Sequence, residues 1–195
     1  MGPEYDENLD RANELAERGV ALDSTSAFAL ARLGWIQMFL RRYDPAIANL
    51  EKAIAMAPNN GEVYATFGQI LNWLGNPEKG LEMSEKAFSL ETFAPPTWEF
   101  GVGLSRLLLC QYDEALTRFN RAIERAPKIT PAYMYLACAY VELDRLDDAS
   151  DAIKTALEIV PNYTVKEVAR IWPYRIDEDR NRIFNSLRKA GLPEG

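Results

Sequence analysis

A repeat period of 34 residues constrains the fold of this sequence more than any other feature. Gly34 and Gly68 are 34 residues apart, and so are Gly103 and Ala137. Only the junction between Gly68 and Gly103 is one residue longer, beside a Pro-Pro pair. A period of this length indicates that one supersecondary unit recurs along the chain, because a single unit cannot bury its own apolar faces.

The stretch Thr130–Tyr163 shows what one unit contains. Tyr133, Leu136 and Tyr140 recur at spacings that place them on one face of a helix. Ile153 lies on a second amphipathic segment that ends before a proline. The pattern predicts two short helices joined by a tight turn.

Paired helices with this period, closed by proline, resemble the tetratricopeptide repeat. The resemblance implies an all-α fold, a right-handed superhelix (α-solenoid) of helix-turn-helix repeats with C-terminal capping helices. We assign residues 1–24 to a partial repeat or N-terminal cap and residues 164–195 to the capping helices. Between them, residues 27–163 form four units, assigned to residues 27–60, 61–94, 96–129 and 130–163.

The partial repeat carries only the second helix of its unit. A missing first helix favours a piece cut from a longer polypeptide, and a degenerate cap is the alternative.

The second unit departs from the repeat pattern. Gly80, Ser84 and Thr92 stand where the other units have alanine, a large apolar residue and proline. A glycine inside a helix costs about 1 kcal/mol relative to alanine. We therefore expect the softest joint of the superhelix in this unit.

Composition narrows the class of function. The net charge is −7, which disfavours nucleic acid as a partner because phosphate neutralisation needs a basic face. No apolar run approaches the roughly 18–20 residues of a membrane helix, so no membrane insertion is expected. The acidic N-terminus has no apolar signal segment, and Cys110 and Cys138 fit free thiols. These observations predict a cytoplasmic protein.

The sequence offers no constellation for catalysis. It contains no histidine, the commonest general base and zinc ligand, and only two cysteines. We expect no catalytic residue, no metal site and no cofactor.

The concave groove is the predicted binding surface. In superhelices of the family that this chain resembles, the first helix of each unit lines the groove through fixed positions. These positions lack the Lys and Arg of a carboxylate clamp, whereas Gln69 and Asn72 are suited to bond an extended backbone. Large apolar patches usually mark contacts, although tight curvature would bury some of these side chains. The predicted groove residues are Phe28, Trp35, Met38, Phe39, Gln69, Asn72, Trp73, Phe100, Leu104, Leu107, Met134 and Cys138.

The sequence thus predicts a non-catalytic scaffold that binds a protein or peptide segment, or an upstream domain of the same polypeptide. A free-standing adaptor or a homodimer is the alternative, and a small-ligand receptor is a further one. On this hypothesis, Trp35→Glu or Trp73→Glu abolishes partner capture and leaves helicity intact.

The tail supports a second resemblance. Ile171–Glu194, with its Trp-Pro-Tyr step and Leu-Arg-Lys-Ala-Gly-Leu-Pro-Glu ending, is similar to the end of the repeat region in bacterial class III adenylate/guanylate cyclases. That resemblance implies a regulatory or assembly module of a larger cyclase-like protein, whose catalytic domain this helical chain does not contain.

Overall fold

The computed structural model describes residues 3–195, and this range is built of α-helices without a strand. Residues 1 and 2, which we placed in the partial repeat, lie outside the described residues. The helices are α1 (Pro3–Leu22), α2 (Ala27–Phe39), α3 (Tyr43–Met56), α4 (Gly61–Trp73), α5 (Pro77–Leu90), α6 (Pro96–Leu108), α7 (Tyr112–Arg125), α8 (Thr130–Glu142), α9 (Leu146–Ile159), α10 (Val165–Ile171) and α11 (Asp177–Lys189).

The paired helices approach closely at the small residues of the repeat. A Cβ on Gly34 would lie 2.9 Å from the carbonyl oxygen of Ala46, inside normal contact distance. A Cβ on Gly103 would lie 2.6 Å from the ring of Phe119. The recurring small residue therefore sets the distance between the two helices of a unit.

The turn inside each unit has one recurring backbone geometry. In the first unit the N–H of Arg42 donates to the carbonyl of Gln37 at 2.8 Å, the six-to-one bond of a Schellman motif. The residue before it adopts the left-handed conformation that this motif requires. The left-handed residues of the four units are Arg41, Gly75, Cys110 and Asp144, with φ between 58° and 79°.

Helices α1 to α9 form a continuous α-solenoid. Each of them packs against the next in sequence, and α2, α4, α6 and α8 also contact one another in turn as an inner layer. Large apolar side chains fill the space within the units, among them Leu50, Phe119 and Ile153, which are nearly inaccessible to solvent.

The tail folds back along this inner layer. Thr164 caps α10 by accepting a hydrogen bond from the N–H of Glu167 at 3.2 Å. The extended residues that follow run across to α4, where the N–H of Arg175 donates to the carbonyl of Trp73 at 2.9 Å. Helix α11 then packs against α8. The tail thus covers part of the concave face as well as contacting the last unit.

Candidate functional site

The predicted groove residues lie on α2, α4, α6 and α8, and they divide into a covered group and an accessible group. Phe28 is exposed, and Trp35, Phe39 and Gln69 are partly accessible. The remaining predicted residues are at most 6% exposed. These buried residues are Met38, Asn72, Trp73, Phe100, Leu104, Leu107, Met134 and Cys138.

A cluster of aromatic side chains fills the covered part of the concave face. The ring of Trp172 from the tail stacks on Tyr135 of α8, with ring centroids 4.3 Å apart. The hydroxyl of Tyr135 accepts hydrogen bonds from the hydroxyl of Tyr174 at 3.0 Å and from Nε1 of Trp73 at 3.4 Å. Burial raises the pKa of both tyrosines above the ordinary value, so both phenols are neutral.

Arg41, in the turn of the first unit, binds the beginning of this tail segment at the end of α10. Its guanidinium donates to the carbonyls of Ala169, Arg170 and Trp172 at 3.3 to 3.5 Å. Carbonyls at the end of α10 have no partner within the helix, and a cation there also complements the helix dipole. The contact joins parts of the chain about 130 residues apart.

Two predicted polar residues of the groove have separate roles. Asn72 is fully buried, donates to the carbonyl of Gly101 at 3.2 Å and accepts from the hydroxyl of Ser105 at 2.8 Å. Its amide joins α4 to α6 and is not free for a partner backbone. Gln69 faces the accessible part of the groove.

Cys138 is also absorbed into the packing. Its Sγ lies 3.7 Å from the carbonyl oxygen of Ile183, and burial raises the pKa of the thiol above its ordinary value. The thiol is therefore protonated and covered by α11.

The accessible part of the concave face forms one pocket of about 410 Å³, which we call the open pocket. This volume lies within the roughly 300–1,000 Å³ typical of ligand sites. Of the predicted groove residues, the structure brings together Trp35, Gln69 and Phe100 in it. The pocket is lined by Arg32, Trp35, Glu62, Ala65, Thr66, Gln69, Ser84, Thr97, Trp98, Phe100, Ile129 and Pro131.

Several of these lining residues escaped the sequence analysis. The sequence analysis used only fixed positions of each first helix, whereas Arg32, Thr66 and Trp98 occupy neighbouring positions on the same helices. Ser84 lies on α5, the second helix of its unit, and the groove positions of the sequence analysis all lie on first helices. Its departure from the repeat pattern was the available signal.

The charges at the open pocket are paired. The guanidinium of Arg32 lies 2.9 Å from one carboxylate oxygen of Glu62, and Nε1 of Trp98 donates to the other at 3.2 Å. The pocket therefore presents aromatic walls and neutral polar groups, with no uncompensated charge from this pair.

Within residues 3–195, His, Cys, Asp and Glu side chains form no group of three or more that could hold a metal ion. None of the helices in the described part of the chain is long and apolar enough to cross a membrane.

The fold is that of helical-repeat solenoids, since solved structures of this class align over most of the chain. A thermophilic TPR protein of Thermus thermophilus aligns with a TM-score of 0.71 and 21% identity, covering 95% of this chain and 93% of that one. PilW, a widely conserved type IV pilus biogenesis factor, aligns with a TM-score of 0.71 and 18% identity, covering 94% of this chain and 84% of that one. YrrB, a TPR protein with an unusual peptide-binding site, aligns with a TM-score of 0.57 and 24% identity, and the alignment covers 82% of each chain.

The repeat itself is then identified from the sequence. Family models described as tetratricopeptide repeat match residues 29–60 and residues 110–170. The chain therefore contains tetratricopeptide repeats, as the period predicted.

Curated relatives share this region at low identity. BBSome complex member BBS4 of Bos taurus is 21% identical over 185 residues, which cover 78% of this chain and 36% of that protein. Anaphase-promoting complex subunit 3 of Dictyostelium discoideum is 28% identical over 145 residues, covering 70% of this chain and 14% of that protein. The chain thus spans about a third or less of the length of these relatives.

Proposed function

We propose that this chain is a non-catalytic scaffold that binds a segment of another protein in the open pocket of its concave face. The observation that carries the proposal is an aromatic surface left accessible beside the part of the groove that the tail covers. Tetratricopeptide repeats are generally scaffolds for protein–protein contact, and the names of both curated relatives place those proteins in multi-subunit complexes.

Trp35 is the residue best placed to anchor a partner. It is partly accessible, yet its ring is held by Phe39 at 5.3 Å and by Trp73 at 5.4 Å between centroids. A rigid aromatic side chain contributes contact area at little cost in conformational entropy, and tryptophans are enriched among the residues that dominate binding energy. The groove thus offers a preorganised apolar contact.

A peptide selection tests this proposal. Peptides selected from a displayed random library against the purified chain should bind the Trp35→Ala variant about thirtyfold more weakly, since hot-spot truncations cost about 2 kcal/mol or more. Phe93→Ala is the matched control, because Phe93 is 92% exposed and lies outside the open pocket. Selected peptides that bind both variants like the parent chain would exclude the open pocket as the binding site.

A narrower proposal concerns the polypeptide that the scaffold serves. The resemblance of Ile171–Glu194 to cyclase repeat regions suggests an adenylate or guanylate cyclase domain on the same chain. This proposal depends on the tail sequence alone, and Trp172 and Tyr174 in that tail already have a packing role against Tyr135. An immunoblot of the source cell would contradict it by showing a band near 22.1 kDa.

A further inference from the structure

The second unit lacks a side chain that fills the core of the other units. The equivalent positions in the first, third and fourth units hold Leu50, Phe119 and Ile153, all of them buried. The repeat spacing places Ser84 at this position in the second unit, and it is 2% exposed. A buried hydroxyl thus replaces a large apolar group.

Closer helix packing makes up only part of the lost volume. A Cβ on Gly68 would lie 2.4 Å from the hydroxyl of Ser84 and 2.7 Å from the carbonyl oxygen of Gly80, so α4 and α5 approach each other closely here. On the other side, a Cβ on Gly101 would still lie 3.8 Å from that hydroxyl. Ser84 is one of the residues that line the open pocket, and its hydroxyl lies just beneath the surface of that pocket.

The hydroxyl of Ser84 is a polar group without a hydrogen-bond partner. Its Oγ is buried and makes no hydrogen bond among the described residues, whereas most buried polar atoms are paired. The same side chain contributes to the floor of an aromatic pocket whose Arg32 and Glu62 already pair with each other. A side chain that enters the pocket therefore contacts aromatic walls, and a small side-chain adjustment brings it to a buried hydroxyl that has no partner.

We propose that the open pocket receives a tyrosine side chain of an extended partner segment, whose phenol hydroxyl bonds to Oγ of Ser84. This inference rests on the proposed function. A phenol ring matches Trp98 and Phe100, and its polar tip matches the unpaired hydroxyl. A charged side chain would have to compete with the existing ion pair of Arg32 and Glu62, whereas a phenol would not.

The chain itself uses the same chemistry in the adjoining part of the concave face. Tyr174 packs its ring beside Trp172 and bonds its hydroxyl to the hydroxyl of Tyr135. The covered part of the groove is thus occupied by an extended segment with an aromatic side chain and a phenol that meets a hydroxyl. The open pocket adjoins this covered part at Trp35, whose ring packs against Trp73.

Two capped pentapeptides, acetyl-Gly-Gly-Tyr-Gly-Gly-amide and its phenylalanine counterpart, test the proposal by titration into the ¹⁵N-labelled chain. The tyrosine peptide should shift the amide resonances of Gly68, Ser84 and Gly101. It should bind about threefold to tenfold more tightly than the phenylalanine peptide, the effect of one net hydrogen bond. Ser84→Ala should remove this preference and leave the affinity for the phenylalanine peptide unchanged.

The control and the contrary outcomes separate this inference from the proposed function. Ser89→Ala, on the exposed side of the same helix, should keep the preference. The tyrosine proposal would be overturned if the tyrosine and phenylalanine peptides bound the parent chain equally well and Ser84→Ala changed neither affinity. The scaffold function would still stand if Trp35→Ala weakened both peptides. Binding of library-selected peptides without any binding of the tyrosine probe would also overturn the tyrosine proposal alone.

Discussion

The hydroxyl of Tyr174 donates a hydrogen bond to the hydroxyl of Tyr135 at 3.0 Å, and both side chains are almost completely buried. This bond joins the tail to α8 in the middle of the concave face. Because Tyr135 also accepts from Trp73 of α4, three parts of the chain meet at one phenol oxygen. The tail is thus part of the hydrophobic core.

Removing the two hydroxyls one at a time should give unequal effects. Tyr174→Phe leaves Tyr135 with its Trp73 partner, and we expect the free energy of unfolding to fall by about 1 kcal/mol. Tyr135→Phe leaves two buried donors without an acceptor, so a loss of about 2–3 kcal/mol is expected. Urea denaturation followed by circular dichroism measures both.

Tyr133→Phe provides the control for these variants. Its hydroxyl makes an exposed hydrogen bond to the carbonyl of Pro127 at 3.1 Å, so its removal should change stability by less than about 0.5 kcal/mol. Equal losses for all three variants would show that the buried phenol pair contributes nothing particular.

Stability should decline at alkaline pH because of the buried acids. The folded chain holds the pKa values of Tyr135, Tyr174 and Cys138 above their ordinary values. In the unfolded chain these groups lose their protons near pH 9 for the thiol and near pH 10 for the phenols. Stabilisation by the protonated groups is therefore fully present below pH 9 and is lost as pH rises, because the unfolded state then binds fewer protons.

The measurement is the free energy of unfolding between pH 7 and pH 11. Each group adds a slope of about 1.4 kcal/mol per pH unit once the pH exceeds its unfolded pKa. Tyr174→Phe should make the decline above pH 10 shallower, whereas Tyr133→Phe should not. A profile that stays level to pH 11 would show that the phenols ionise freely in the folded chain.

The sequence predicted the helix pairs because their signal is local. Small residues such as Gly34 and Gly103 recur with the period, and the same residues set the helix spacing in the structure. The left-handed turn residues were harder to predict, because Arg41 and Cys110 are neither glycine nor asparagine, the residue types that usually mark this conformation.

The cover over the groove could not be predicted in the same way. The bond from Arg175 to Trp73 and the contacts from Arg41 to the end of α10 join distant parts of the chain, and no periodic pattern connects them. The fixed positions of the sequence analysis placed Trp35 and Trp73 alike on the inner layer. In the structure, α2, α8 and the tail all contact Trp73, whereas Trp35 stays partly accessible at the open pocket.

That distinction changes the expected result of placing a charge at each tryptophan. Trp73 is 4% exposed, its indole N–H donates to the hydroxyl of Tyr135 on α8, and its carbonyl accepts from Arg175 of the tail. Trp73→Glu puts an unpaired carboxylate in the core, and we expect a loss above about 4 kcal/mol with loss of helicity. The sequence-based expectation of intact helicity is thereby revised for this residue.

Trp35→Glu should behave differently, because Trp35 is partly accessible at the open pocket. The carboxylate remains hydrated, so helicity should persist with a loss of about 1–2 kcal/mol, and peptide binding should be abolished. Thermal unfolding by circular dichroism, run beside a binding titration, checks both variants. Loss of helicity in Trp35→Glu would place this residue in the core and remove it from the binding surface.

Arg41 and Asp144 allow the contribution of the tail anchor to be measured by matched substitutions. Both residues have φ of 58° at equivalent turns, and the left-handed conformation costs most non-glycine residues about 1–2 kcal/mol, with aspartate at the low end. Asp144 is exposed, so Asp144→Gly should relieve this strain and stabilise the chain by about 0.5 kcal/mol after the entropy loss of glycine. Arg41→Gly relieves at least as much strain but removes the donors to three carbonyls. We therefore expect a net loss of about 1–2 kcal/mol in urea denaturation, and equal gains in the two variants would show that Arg41 does not hold the tail.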